Sequence, residues 1–482
     1  MVQVAGRVLY LALSLLTTKL LTGYLGTGGY GQYNIIVDYM GFFGVMVDMG
    51  LYLIVIQHVE HAKSQADKEK AVGNIVGLRI ISAVIMFAVA SGLIFLVPSS
   101  SYSLTLKYSA CLAAVAFFCV SLSQLFAGVF QAYLHAEWAA LSEVIGKVVV
   151  LATVFVCARE NLGLEALAVS LIIGNGASFI FSFAMAKRFV NFKLHFDWAS
   201  YRQILKEAAP LGLVLALSYA YVKQDTIILS LHPGLKGISH DVAVGIYKVP
   251  YRLLEVIQGF PALFLTALFP FMNKYIVGKD SRLFSMYQKA FDFLVALALP
   301  MIVGVVVLAH ALIPFITKSG TQWTPAVLTM QILIFSVAFA FIDNYAGFII
   351  ISQKKQKYLI GPNIMYLVFN LVLNIIVIPF WSYNGAAIVT VWTEMLVCAT
   401  NFIIIYKLMH WYPKLHALVK ICGATAVMGV VVYALDRIGL YFLLNGALSM
   451  AVYFVVLSAL GGLPEGITAR ALLAKLVNKS TV

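Results

Sequence analysis

Apolar runs of 18 or more residues recur from one end of this chain to the other, and each is long enough to cross a bilayer as a helix. In hydrocarbon every backbone N–H and C=O needs a partner within its own segment or a closed sheet. The runs are continuous rather than alternating, so a β-barrel is excluded and helices remain. With 62% hydrophobic and 11% charged residues among 482, no stretch has the make-up of a soluble lobe large enough for a nucleotide sugar. The first run lacks a small-residue cleavage site and leads directly into a second, so no cleavable signal peptide is expected.

The runs read as about fourteen spans, at roughly 4–24, 33–57, 75–97, 108–133, 139–158, 166–186, 207–231, 243–270, 285–310, 322–351, 358–379, 384–406, 416–435 and 440–460. With the N-terminus inside, the inner loops and tail hold 20 Lys and Arg and the outer loops five. That bias predicts both termini in the cytoplasm. The formal charge of +13 is therefore mostly a topology signal, and no nucleic-acid partner is expected. Cys111, Cys119, Cys157, Cys398 and Cys422 all fall in spans without metal-site spacing and read as small packing residues.

Three landmarks recur at nearly one offset. Gly31-Gln32-Tyr33 returns as Gly245-Ile246-Tyr247 after 214 residues, and Gln131 as Gln353 after 222. Glu165-Ala166-Leu167-Ala168-Val169-Ser170 returns as Gly385-Ala386-Ala387-Ile388-Val389-Thr390 after 220. The expected fold is all-α and integral to the membrane: two pseudo-symmetric six-helix lobes plus two C-terminal helices. The divisions are an N-lobe at 1–186, a cytoplasmic interfacial linker at 187–206, a C-lobe at 207–410, helices thirteen and fourteen at 411–462, and a tail at 463–482. The linker alternates bases with aromatics (Lys187, Arg188, Phe189, Phe192, Lys193, Phe196, Trp198, Tyr201, Arg202), which predicts a segment lying on the inner leaflet. In the tail, Leu472, Leu473, Leu476 and Val477 share one helical face, the pattern of a short surface helix.

Charge inside the spans concentrates between Ala209 and Pro270. An ionised side chain at mid-depth costs roughly 2.5 kcal/mol or more, so it is expected to do something. Lys248, Arg252 and Glu255 stand at i, i+4 and i+7 on one helical face, and the bare Gly259 extends it. Lys223 and Asp225 enter from the preceding span at similar depth, and Lys19 from the first. Lys19, Lys223, Lys248 and Arg252 form a candidate ring for a phosphate group, with Arg252 supplying bidentate donors. The competing reading pairs Lys223 with Asp225 and Arg252 with Glu255 as structural ion pairs. Asp225, Asp38 and Glu255 are the candidates for ion coupling. Arg7 and Arg79, near inner span ends, are expected to reach the headgroups. Asn370 and Asn374, one turn apart, are expected to hydrogen-bond between helices. No Gly-Lys-Ser/Thr loop, metal-ligand cluster or nucleophile motif occurs in the sequence, so no ATP motor, cofactor, metal or catalytic residue is expected.

Four segments resemble the polysaccharide flippases of the O-antigen (Wzx) type, within the superfamily that also holds multidrug (MATE) exporters and lipid II flippases. They are Leu25-Gly26-Thr27-Gly28-Gly29-Tyr30-Gly31-Gln32-Tyr33 continuing to Asp48-Met49-Gly50-Leu51; Pro210 to Pro270; Asn370-Leu371-Val372-Leu373-Asn374 with Ile378-Pro379; and Tyr383-Asn384-Gly385-Ala386-Ala387 with Thr390 and Glu394. Where the family often has Arg before the first Leu-Gly, this chain has Tyr24. The resemblance implies alternating access in the plasma membrane and a polyprenyl-diphosphate-linked oligosaccharide carried from the cytoplasmic to the outer leaflet. The basic residues of the first, seventh and eighth helices would face the diphosphate. Membrane lipids, a glycan polymerase and glycosyltransferases are the implied partners, and the transporter is expected to be monomeric. The alternatives within the superfamily are a cation-coupled multidrug exporter and a lipid II-type flippase. A membrane polymerase or transferase is disfavoured, because no outer loop exceeds about 15 residues.

Overall fold

In this computed structural model the described residues are 2–232, 237–278, 280–317, 320–353 and 355–462. The expected tail helix at 463–482 lies outside them. The described chain is helical: α1 (Val2–Asp48), α2 (Leu51–His61), α3 (Gln65–Leu93), α4 (Leu104–Ala132), α5 (Glu137–Arg159), α6 (Leu164–Phe189), α7 (Trp198–Leu231), α8 (His240–Val277), α9 (Arg282–Ile316), α10 (Pro325–Ser352), α11 (Ile360–Met409), α12 (His416–Arg437) and α13 (Phe442–Ala459).

Ten stretches of the described residues are long and apolar enough to cross a membrane. Two of them are broken once, α1 at Gly26 and α11 at Ser382. With α7 and α8, which carry charges but have 34 and 38 residues, the spanning segments number about fourteen, as the hydrophobic pattern predicts. Each break has a local cause. Gly26 has φ 65° and ψ −169°, a conformation that essentially only glycine adopts. Upstream of Ser382, Pro379 lacks the amide that would continue the ladder. Between α1 and α2, Gly50 is left-handed (φ 80°) and its amide donates to the Asp48 carboxylate at 3.2 Å.

The chain packs as two compact units. The first holds Met1–Val249, Ile316–Gln322 and Leu367–Ala386; the second holds Pro250–Phe315, Trp323–Tyr366 and Ala387–Val482. The division therefore does not follow the 187–206 linker. It cuts α8 after Val249 and α11 on either side of Leu367–Ala386, because the charged and amide side chains of those stretches bond to α1 and α7.

In the first unit the apolar core gathers Ile54 and Val55 of α2, Ile75 and Val76 of α3, Phe126 and Phe130 of α4, and Tyr201 and Ile204 of α7. Small residues let other helices meet closely. Ser142 of α5 bonds to Ser178 and Ser182 of α6 at 2.7 and 2.6 Å, and a Cβ on Gly146 would lie 3.1 Å from the Gly174 carbonyl. Only 190–197 of the linker is non-helical, since α7 already begins at Trp198 with Asp197 as its cap. Val190 and Phe192 enter the core, while Leu194, Phe196 and Trp198 stay exposed. The extended linker lies against bare backbone of α3: a Cβ on Gly73 would overlap the Lys193 carbonyl, and one on Gly77 would lie 2.8 Å from the His195 carbonyl.

In the second unit polar side chains bond neighbouring backbones. Gln331 of α10 donates to the Val306 carbonyl at 2.8 Å, and Tyr453 of α13 donates to the Ala296 carbonyl at 2.6 Å. Asn445 of α13 donates to the Val432 carbonyl of α12 at 3.0 Å. Asn401 donates to the Asp343 carboxylate.

Candidate functional site

The site assembles in the first unit from α1, α7, α8 and the middle of α11. Its scaffold is a glycine crossing. A Cβ on Gly31 of α1 would overlap the Asp241 carbonyl of α8, and a Cβ on Gly245 of α8 would overlap the Thr27 carbonyl of α1. The two glycines that mark the internal repeat are thus each other's neighbours, and the helices touch backbone to backbone. At the start of α8, Gln32 donates to Asp241 at 2.7 Å, and His240 lies 3.3 Å from the same carboxylate.

Seven residues beyond Gly31, α1 presents Asp38. Its carboxylate forms an ion pair with Lys248 of α8 and lies 3.9 Å from the ammonium of Lys223 on α7. Asp38 and Lys248 are 5% and 4% exposed. Removing one partner of such a pair leaves the other charge buried, which is costly, so the two are held together.

Beside it lies an amide and hydroxyl network around Asp225 of α7, which is 3% exposed. Tyr247 donates to one carboxylate oxygen at 2.9 Å, and Asn374 of α11 donates to the other at 2.7 Å. Asn374 also donates to Asn370 at 2.7 Å, and Gln224 donates to the same Asn370 oxygen at 2.7 Å. Gln224 further reaches the Leu367 carbonyl at 3.2 Å. Asp38 of α1 thus meets ammonium groups, while Asp225 of α7 accepts from a phenol and an amide.

The structure brings Asp38, Lys223 and Lys248 together, with Asp225 close by through Tyr247, the residue before Lys248. It places Lys19 on an exposed face of α1. Arg252 and Glu255 belong to the second unit, where they form an ion pair at 2.6 Å, both partly exposed. Lys223 approaches Asp38 of α1, a partner the sequence spacing did not offer, and Arg252 with Glu255 is the pair considered. A Cβ on Gly259 would meet nothing within 4 Å. Asn370 and Asn374 do bridge helices. Tyr247 and Gln32 carry hydrogen bonds that the sequence marked only as repeat landmarks.

Arg79 overturns one expectation. It does not reach for headgroups but is fully buried, because acceptors surround it. Its guanidinium meets Asp48 at 2.5 Å and donates to the Ser121 hydroxyl at 2.8 Å and the Ser121 carbonyl at 3.1 Å. Arg7 lies 3.8 Å from Glu143, both half-exposed.

Residues 2–276 match a family described as polysaccharide biosynthesis protein. No curated protein sequence matches the chain. Among solved structures, it is similar to the lipid II flippase MurJ in an inward closed conformation, with TM-score 0.80, 14% identity, and coverage of 95% of this chain and 98% of that one. It is also similar to a multidrug resistance MATE family transporter of the MOP superfamily in an inward-facing conformation (TM-score 0.65, 14% identity, 83% of this chain, 93% of that one). A MOP superfamily transporter from Pyrococcus furiosus gives TM-score 0.58 at 13% identity, over 85% of this chain and 94% of that one. At such identities the likeness establishes the shared fold.

Proposed function

Because this chain belongs to the polysaccharide biosynthesis protein family, we propose that it is a flippase that carries a polyprenyl-diphosphate-linked oligosaccharide from the cytoplasmic to the outer leaflet of the plasma membrane. The observation that carries the reading is the buried Asp38–Lys248 pair with the partly buried Lys223 beside it, a group drawn from three helices. Asp38 holds two ammonium groups at a depth where hydrocarbon would otherwise reject charge, and the same groups are the donors a diphosphate needs. A diphosphate exchanges for Asp38 as their partner, so the lysines stay compensated before and after loading. Arg252 and Lys19 are assigned further contacts with the head group, and Asp38, Asp225 and Glu255 remain the candidates for ion coupling.

Translocation by this reading forms no covalent bond. The sugars and diphosphate travel through a polar path while the prenyl tail stays in lipid, and the two repeat halves alternate access. An anion leaving a negative interior gains about 2.3 kcal/mol per charge per 100 mV. The resemblance to the lipid II flippase MurJ supports a lipid-linked cargo. The buried acids Asp38 and Asp225 favour, as the second reading, a cation-coupled multidrug exporter like the MATE relatives.

The test is a depletion strain whose lipid-linked glycan is labelled from one leaflet at a time. The expected result is accumulation in the inner leaflet, reversed by the intact gene and not by Lys248→Gln. Normal delivery to the outer leaflet after depletion would falsify the proposal. Dye efflux that needs Asp225 but neither lysine would favour the exporter.

A further inference from the structure

A cavity lies within the second unit, at the end where α9 and α12 begin and α13 finishes. Its volume is about 680 Å³. Trp411 and Phe284 form one wall, with ring centroids 5.8 Å apart. Lys289, Lys414 and Lys420 line it, against one acid, Asp292. The polar frame is tied in place: Gln288 donates to Asp292 and to the Lys414 carbonyl, each at 2.8 Å, and accepts the Lys414 amide at 2.7 Å. Lys420 donates to the Gly461 carbonyl at 3.1 Å. His416 and Ala417, in the first turn of α12, and Phe284 and Ser285, in the first turn of α9, also line it. Two helix N-termini therefore open onto a cavity with an excess of ammonium groups, an arrangement that favours an anion with phosphate-like oxygens.

What flanks the cavity identifies the source of that anion. Tyr412, Leu415 and Val419 lie on the same loop and first turn as Lys414 and Lys420, and all three are exposed, Val419 at 77%. A bare apolar rim beside lysines and a tryptophan is the signature of the membrane–water boundary. By the distribution of Lys and Arg this is the cytoplasmic side, whose leaflet carries the anionic lipids.

We infer that this cavity is a binding site for the phosphate headgroup of an anionic inner-leaflet phospholipid, separate from the Asp38–Lys248 cluster. The lysines and helix ends meet the phosphate, Trp411 packs along the glycerol, and the acyl chains run over Leu415 and Val419. The inference rests on the predicted orientation and not on what the protein transports.

The experiment counts lipids retained by the full-length protein in native mass spectrometry, from micelles doped with phosphatidylglycerol or with phosphatidylethanolamine. K289Q/K414Q/K420Q is compared with K63Q/K68Q/K70Q, which removes Lys63 before α3 and two lysines in the first two turns of α3, and thermal melting checks that both fold. At about a factor of five per lysine near a charged surface, the cavity triple should bind phosphatidylglycerol on the order of a hundred-fold more weakly. Phosphatidylethanolamine retention should be unchanged, as should phosphatidylglycerol retention in the other triple. Equal losses in both triples would mean that only net charge matters, and no loss in the cavity triple would mean that no such site exists; either overturns the inference. Inorganic phosphate provides the last arm. If it displaces phosphatidylglycerol only at concentrations that screen all charge, the lipid assignment stands. If it protects the cavity as well as the lipid does, the ligand is a free anion and the lipid assignment fails.

Discussion

At the scale of single residues, the decisive fact is that Lys248 and Asp38 are buried together. Asp38→Asn removes the carboxylate from a buried ion pair, which should cost about 3–5 kcal/mol. The melting temperature of the purified protein should fall accordingly. Asp38→Asn combined with Lys248→Gln should recover part of that stability, since the paired charges go together while Lys223 still loses Asp38, yet translocation should stay lost. A stable double variant that still translocates would take Lys248 out of the substrate path. Arg79 is the contrasting case. Its acceptors Asp48 and Ser121 sit on α1 and α4, so Arg79→Ala should destabilise by a similar amount, about 3–5 kcal/mol. No position beside a substrate is involved, so the variant that folds in low yield should translocate normally per molecule. The charged residues of the site were legible individually, since Lys223, Asp225 and Lys248 interrupt apolar runs. Their pairing was not. Asp38 and Lys248 are 210 positions apart, and helical spacing reports only neighbours within a few turns. For the same reason Arg79 looked like a snorkelling residue until Ser121 and Asp48 came into contact with it.

At the scale of elements, close helix contacts decide which glycines are replaceable. Gly31→Ala or Gly245→Ala puts a methyl group onto a backbone carbonyl of the facing helix, where no rotamer change relieves it. Either should lower stability by roughly 1–3 kcal/mol or more. Gly259→Ala on the same helix as Gly245 meets open space and should melt at or above the parent temperature. Comparing the three melting curves checks the crossing. The start of α7 gives a pH-dependent prediction. Hydrogen bonds from the Ser200 hydroxyl and the Ala199 amide hold the Asp197 carboxyl below the usual aspartate range. A carboxyl depressed by folding stabilises the cap above its unfolded value, and that contribution disappears as pH falls through the folded value. Amide exchange at 198–203 should therefore accelerate at acid pH in the intact protein, and show little such dependence in Asp197→Ala. The helices themselves were readable because apolar length is a property of a whole segment and tolerates local errors. The linker was only half readable. Its bases and aromatics announced an interfacial segment, but the glycine face of α3 that receives it depends on contacts over more than 110 residues.

At the scale of the whole molecule, the fold follows from the repeated apolar runs, and the placing of Lys and Arg predicts its direction in the bilayer. Single cysteines introduced at Lys70 and Lys187 should react with an impermeant thiol reagent only after the inner face is opened, and one at Arg159 should react in intact cells once the native cysteines are replaced. Reversal of that pattern would invert the topology and move the lipid cavity to the outer leaflet. What composition could not convey is how packing divides the chain. The boundary after Val249 falls inside one continuous helix, because bonds made by Tyr247 and Lys248 tie the start of α8 to α1 and α7.

The meeting of Gly31 with Gly245 has a mechanical consequence. Where two helices touch through bare backbone, no branched side chains interlock, so parting them unpicks no jigsaw and waits on no χ rotation. Such a seam slides and reseals with little friction, and its resistance to opening comes instead from the Gln32–Asp241 hydrogen bond and the Asp38–Lys248 pair that border it. Under the alternating access proposed above, the latch lies in a few polar contacts and the bearing surface stays smooth.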